Sequence, residues 1–175
     1  MRKKNTTTEM MKEYIADSLL ILMGKKSYAD ISIGEITNKA GVNRSTYYRN
    51  FSSKDDIVKF FFKKIIYEYL DGIDHRKDIT LKEYLQKMFT HFLGYKSELL
   101  RIYRGGVSYL ILAALNESFV EVSGTFEERF KIYYHTGGIY NIFLLWFSDE
   151  MKESPESMSK LAVSTLPDNF RPMLL

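Results

Sequence analysis

Apolar residues recur at three- and four-residue spacing along most of the chain, the period of an amphipathic helix. A capping box at Thr6 and Glu9 opens a first helix. Its stripe is Met11, Ile15, Leu19 and Leu22, and it ends at Gly24-Lys25-Lys26. Ser32-Ile33-Gly34-Glu35 repeats the capping box and predicts a helix through Ala40, stopped by Gly41. Asn43-Arg44-Ser45-Thr46 begins a third, short helix through Asn50. Ser52-Ser53-Lys54-Asp55-Asp56, a cap followed by first-turn acids, opens a longer one to about Leu70. Thr80 caps a helix to about Tyr95, and Ser97-Glu98 starts another that ends at Gly105-Gly106. Val107 to about Val122 is apolar enough to be a buried helix. A long helix follows from Phe126 to about Lys152, with Gly137-Gly138 as its weak point. Ser154-Pro155-Glu156 starts the last helix, to about Thr165, and the tail after Pro167 reads as loose. No stretch alternates convincingly with period two. The pattern predicts an all-α fold of about nine helices: an N-terminal three-helix unit (1–53), and a helical C-terminal domain (54–175) whose first helix links the two.

Composition narrows the picture. With 175 residues, 45% of them hydrophobic, the chain can bury a substantial core and is not a disordered polymer. It has no Cys, which excludes disulfides, thiolate metal sites and a cysteine nucleophile. No apolar run approaches the roughly 18 residues of a membrane span. Met1-Arg2-Lys3-Lys4 is not followed by the apolar segment of a signal peptide, so cytoplasm is the expected compartment. Lys3 and Lys4 read as a solvated terminus rather than a functional basic arm. Charge is unevenly spread. Residues 1–66 carry 13 Lys+Arg against 7 Asp+Glu, a net of +6, and residues 67–175 carry 12 against 15, a net of −3. A basic front half favours a polyanionic partner.

The chemistry concentrates between Ser32 and Lys54. Two short helices around a glycine turn form a helix-turn-helix pattern, with Ile36, Ala40, Val42 and Tyr47 placed to hold them together. The other side of the second helix carries Asn43, Arg44, Ser45, Thr46, Tyr48 and Arg49, almost all hydrogen-bond donors. Such a helix can enter a major groove and address base edges and phosphates. Between Asp30 and Lys54 the single carboxylate is Glu35, which the capping box employs. A surface that faces phosphates requires that scarcity.

The run from Ile33 to Ile57 resembles the TetR-type, or tetracycline-repressor-like, regulators. Its features are Ala40-Gly41-Val42 at the turn, Ser45-Thr46-Tyr47-Tyr48 in the second helix, Phe51, and then Ser53-Lys54-Asp55-Asp56-Ile57. The resemblance implies a recognition helix in which Asn43, Arg44 and Ser45 read base edges. Thr46, Tyr48, Asn50 and Lys54 would contact phosphates, with Ser32 at the start of the preceding helix. Tyr47 and Phe51 would be core. Asn50 stands where His or Tyr is common, and Arg49 is at a variable position. Gly138 to Thr165, with Trp146 and Ser154-Pro155-Glu156, is similar to the compact C-terminal domain of TetR-type regulators of Firmicutes, such as those of dihydroxyacetone-kinase operons.

That second resemblance implies a homodimer built from the last two long helices, and Gly138 to Phe147 is apolar almost all round, as a segment buried on both sides must be. Ile142, Leu145, Trp146, Met158 and Leu161 are the candidate interface. Tyr103, Tyr109, Phe130, Tyr134 and Tyr140 are candidates to line an effector pocket, although aromatic residues at helical spacing are more often plain core. His91, Arg101, Arg104 and His135 are candidate polar anchors for a ligand. Distant histidines without spaced carboxylates do not make a metal site, and no cofactor is expected. No phosphate-cradling loop or paired carboxylates mark an enzyme. The expected function is sequence-specific binding to a palindromic double-stranded DNA operator by an effector-controlled repressor. The alternative is an activator or interaction module controlled by a partner protein instead of a small molecule.

Overall fold

The computed structural model describes residues 6–73, 79–120 and 124–165. Nine helices follow one another among them: α1 (Thr6–Met23), α2 (Ile33–Ala40), α3 (Arg44–Asn50), α4 (Lys54–Asp71), α5 (Leu81–Leu93), α6 (Lys96–Arg104), α7 (Tyr109–Val120), α8 (Phe126–Ser148) and α9 (Pro155–Ser164). No strand occurs among the described residues. Lys3, Lys4 and the tail after Pro167 lie outside them, as does the side chain of Thr6.

Local chemistry fixes most helix starts. Ser32 with Glu35, Ser53 with Asp56, Thr80 with Glu83 and Thr125 with Glu128 all form complete capping boxes. In each box the hydroxyl accepts from the N3 amide and the N3 carboxylate accepts from the cap amide, satisfying two of the helix's unpaired donors. Ser154 caps α9, with Pro155 in its first turn. Gly41 ends α2 at φ 66°, the left-handed conformation that a side chain disfavours.

Two expected boundaries move. α6 begins at Lys96, and the residue before it, Tyr95, supplies no side-chain cap, so the Ser97 start is corrected. α8 runs unbroken through Gly137-Gly138 but stops at Ser148, short of Lys152. Glu150 and Met151 there adopt φ of 56° and 49°, and the Met151 amide donates back to the Trp146 carbonyl at 2.8 Å. That reversal sends α9 back onto α5.

The core runs as one cluster from Ile15 on α1 to Ala162 on α9. α4 is its spine: Ile57, Phe61 and Ile65 are buried at four-residue spacing, and α1, α5 and α7 all pack on this helix. In the C-terminal half, Phe89, Phe92, Phe143 and Trp146 interlock, with the Trp146 ring edge-on to Phe89 at 5.4 Å. The Trp146 Nε1–H donates to the Glu153 carbonyl at 3.0 Å. Trp146 and Met158 are therefore core residues of a single chain, which corrects their assignment to a subunit interface. Gly138 to Phe147 is likewise not enclosed on both sides. Phe143, Trp146 and Phe147 face inward, Ile142 is half-buried, and Leu145 on the other face is exposed.

Candidate nucleic-acid interface

α2 and α3 meet through Ile36 and Tyr47, both fully buried, with Ala40 and Val42 packed beside them. Phe51 closes the unit against Phe60 of α4, ring centroids 5.6 Å apart. The Tyr47 hydroxyl is buried without a hydrogen-bond partner, and burial pushes its pKa up, so it stays neutral. This packing turns the rest of α3 outward.

The outward side chains are organised by Asn43, the N-cap of α3. Its Oδ1 accepts from the Thr46 amide (2.8 Å), the Ser45 hydroxyl (2.7 Å) and the Thr46 hydroxyl (2.9 Å). Arg49 adds to the same network, its Nη2 donating to Thr46 Oγ1 at 3.0 Å and its Nε to the Ser45 carbonyl. Asn50 turns inward, its Nδ2 donating to the Thr46 carbonyl at 2.7 Å. Asn43 and Asn50 thus serve the helix itself in the free chain. Of the nine side chains expected at DNA, Arg44 and Tyr48 carry no hydrogen bond among the described residues, and both are exposed. The Tyr48 ring stands edge-on to Tyr47 at 5.2 Å, which fixes the direction in which its hydroxyl projects. The Arg44 guanidinium crosses the start of α2, where a Cβ on Gly34 would lie 3.1 Å from Nη2.

Ser32 lies at the start of α2 as expected, but its hydroxyl donates to Glu35 Oε2 at 2.8 Å. Glu35 also accepts from Lys26 Nζ at 2.8 Å. Lys26 first, and then the Ser32 amide and hydroxyl, pull the Glu35 carboxyl down to about 2. Glu35 is therefore held as an anion with its charge paired.

Lys54 departs most from expectation. Its ammonium donates to the carbonyls of Tyr28 (2.7 Å), Ala29 (3.2 Å) and Ile31 (2.8 Å) and lies 4.7 Å from the Tyr28 ring centroid. Its three N–H donors are committed to the α1–α2 loop, so in this structure it is a clamp on that loop and not a free phosphate ligand. The next residue, Asp55, completes the clamp: Tyr28 donates to its Oδ1 at 2.6 Å and Tyr109 to its Oδ2 at 3.4 Å. Lys26, Tyr28 and Asp55 escaped the sequence reading as parts of this site. Their signal is a pair of lysines closing α1 and an acid in the first turn of α4, both of which also have ordinary local uses.

The candidate effector residues are not gathered in one place. Tyr103 and Tyr140 are half-buried against the core, with the Tyr103 ring 6.1 Å from Phe147. Tyr109 faces Asp55, and Phe130 and Tyr134 are exposed on α8. The proposed anchors are occupied elsewhere. His91 Nε2 lies 2.8 Å from the Ile65 carbonyl, Arg101 donates to the Leu20 carbonyl of α1, and Arg104 pairs with Glu150. His135 is half-buried, and desolvation lowers its pKa. Among the described residues no three His, Asp or Glu side chains converge as a metal site requires, and no helix is long and apolar enough to cross a membrane.

Comparison with known proteins places this geometry. Residues 15–59 match the family model of bacterial regulatory proteins of the tetR family. The transposon Tn10 TetC protein of Escherichia coli is 29% identical over 99 residues, 54% of this chain and 50% of that protein. An uncharacterized HTH-type transcriptional regulator of Bacillus subtilis, YwcC, is 32% identical over 79 residues, 41% of this chain and 35% of that protein. The chain thus spans half or less of the length of these curated relatives. Among solved structures, a TetR transcriptional regulator from Streptococcus agalactiae superposes with a TM-score of 0.59 at 18% identity, covering 91% of this chain and 95% of that one. The dihydroxyacetone kinase operon activator DhaS superposes with a TM-score of 0.57 at 16% identity, covering 88% and 92%. Both likenesses are of fold.

Proposed function

We propose that this chain, whose N-terminal helices are those of the tetR family of bacterial regulatory proteins, is a sequence-specific, DNA-binding transcriptional regulator. It acts in the cytoplasm as a homodimeric repressor under effector control. The observation that carries this reading is the outward face of α3. Arg44 and Tyr48 project from it unbonded, and Ser45, Thr46 and Arg49 are held beside them by the Asn43 cap.

Arg44 is the reader. A guanidinium offers two parallel donors that match the O6 and N7 acceptors of guanine. Ser45 reads beside it once its proton leaves Asn43. Tyr48, Thr46 and Arg49 supply phosphate contacts, which position the helix and give affinity without sequence information. Ser32 joins them by exchanging its bond to Glu35 for one to a phosphate. The unit that reads is residues 1–53, and Lys54 serves it from α4 by holding the α1–α2 loop. Two copies related by a twofold axis place their α3 helices in successive major grooves, roughly 34–36 Å apart, on a palindromic operator.

Control acts through α4, which begins at the loop clamp and ends in the C-terminal core. Lys59 and Lys63 bind Glu117 of α7 at 3.1 and 2.9 Å, and α7 packs along α4. A small molecule that displaces α7 alters the separation of the two recognition helices, and an effector that leaves that separation unchanged refutes this route.

The test is fluorescence anisotropy at physiological salt. The duplex is the DNA upstream of the chain's own gene, set against a scrambled duplex of equal length. Preference of at least ~10³-fold is expected. Equal, weak binding to both refutes a repressor acting alone at that site and favours control by a partner protein.

A further inference from the structure

We propose that Gly34 positions Arg44 for base reading: the side chain it lacks leaves a seat open at the start of α2, and the Arg44 guanidinium lies in that seat. The proposal rests on Arg44 as the reader, argued above, and names the residue that aims it.

Gly34 has no conformational reason to be glycine. Gly41 and Gly106 take left-handed φ of 66° and 73°, and Gly34 does not. It is the second residue of α2, inside the capping box that Ser32 and Glu35 close. Glycine is a poor helix former, so alanine or leucine would serve the helix better at this point. Nor does a neighbouring backbone crowd it. Beyond its own helix and chain neighbours, a Cβ on Gly34 would meet two atoms within 4 Å: Arg44 Nη2 at 3.1 Å and Ser32 Oγ at 3.8 Å. The second is an ordinary contact. The first is shorter than the roughly 3.5–4.0 Å of a relaxed non-bonded contact. The group that uses the missing side chain is therefore the guanidinium of Arg44.

Arg44 is steered at both ends. Its backbone is the first residue of α3, fixed by the Asn43 cap, whose Oδ1 accepts from the Thr46 amide at 2.8 Å. Its tip lies against the bare backbone of Gly34 on α2. No hydrogen bond or ion pair engages it among the described residues, so its five N–H donors stay available. An arginine free to rotate loses much rotamer freedom when it binds a base, and one already confined loses less. The two helices are locked together by Ile36 and Tyr47, both fully buried, so root and seat keep their spacing. A side chain at position 34 would turn the guanidinium out of the seat and leave helix, cap and core as they are.

The test pairs Gly34→Leu with Arg44→Ala in the full chain. Leucine favours the helix, offers DNA no donor and fills the seat. The native chain first selects its preferred duplex from a randomised pool. Anisotropy then measures each variant on that duplex and on its single-base variants. Arg44→Ala alone should lose about 5- to 150-fold and relax one base pair. Gly34→Leu should relax the same base pair with a loss of at least about fivefold, and Gly34→Ala should do so more weakly. Neither should lower the melting temperature. In the Arg44→Ala background, Gly34→Leu should change affinity by less than about twofold, because nothing is left to displace. An equal loss in both backgrounds means that leucine crowds the DNA directly, and it overturns the proposal. So do tighter binding by Gly34→Leu, which would make the seat a parking place, and a lowered melting temperature. If Arg44→Ala relaxes a base pair and Gly34→Leu does not, the proposal falls and Arg44 remains the reader. If Arg44→Ala relaxes none, or the native chain selects no sequence, the reading of Arg44 falls and takes the proposal with it.

Discussion

Replacing Lys54 by alanine separates two roles that the same residue could play. In the structure its ammonium gathers the Tyr28, Ala29 and Ile31 carbonyls. A hydrogen bond to a charged group contributes about 1.5–3 kcal/mol when well formed, and an ammonium over a half-buried ring such as Tyr28 about 1 kcal/mol. The site is partly solvated, and water replaces some of these contacts once the side chain is gone. A net loss of about 2 kcal/mol follows, below the sum of the individual terms. For a chain of this size that lowers the melting temperature by about 4–8 °C. The accompanying measurement is the salt dependence of DNA binding. A lysine on a phosphate contributes close to one unit to the slope of log K against log salt, and a lysine on carbonyl groups contributes none. Lys54→Ala should therefore melt early and keep the wild-type slope, with affinity reduced through the loosened α1–α2 loop. Unchanged melting together with a slope reduced by about one unit would refute the clamp and return Lys54 to the DNA backbone.

Arg44→Ala should cost ~1–3 kcal/mol of binding to the preferred duplex and relax selectivity at one base pair, with melting unchanged. Anisotropy over single-base variants of the duplex checks it, and a uniform loss across all variants would make Arg44 a phosphate contact. Glu35 is pulled from 4.5 to about 2 by Lys26 and Ser32. A carboxyl depressed in the folded state stabilises above its unfolded pKa and ceases to do so as pH falls through its folded pKa. The melting difference between the native chain and Glu35→Gln should shrink as pH falls from about 4.5 to about 2, and a constant difference in acid melts would remove Glu35 from the network. Gly41→Ala forces a side chain into the left-handed turn at φ 66° and should cost roughly 1–2 kcal/mol in denaturant unfolding. Phe89→Ala empties a site between Phe143 and Trp146 and should cost about 3–5 kcal/mol. The single tryptophan, buried at that site, supplies the fluorescence readout.

The N-terminal unit was legible because its signals are local. A capping box spans four residues, so Ser32 and Glu35 announce α2 without reference to anything distant, as Ser53 and Asp56 announce α4. Gly41 marks the turn, and Asn43 the next cap. What the sequence concealed was the use of donors over longer range. Lys54 lies 23 to 26 residues from the carbonyls it binds most closely, and no spacing rule connects a lysine to a backbone oxygen. Asn43 misled in a different way. The same amide that can address adenine also caps a helix, and in the free chain it does so. On α3, donor chemistry marked out an outward face but did not separate side chains already engaged from those still free.

The C-terminal half resisted for a reason that its composition makes plain. Helical periodicity distinguishes a buried face from a solvated one by contrast between apolar and polar positions. Along α8 that contrast is absent, because Phe126, Phe130 and Tyr134 on one side are as apolar as Ile132, Phe143 and Trp146 on the other. Sequence alone therefore assigned Trp146 and Leu145 together to an interface. Folding separates them, since only one face can reach the core that Phe89 and Phe92 offer from α5. Trp146 takes that place, with its indole N–H satisfied by the Glu153 carbonyl. Leu145, one residue away and about 100° around the helix, is left outside with the aromatic row. A helix apolar on both faces states that two surfaces must be covered, and it takes the three-dimensional structure to show which of them the chain has already covered itself.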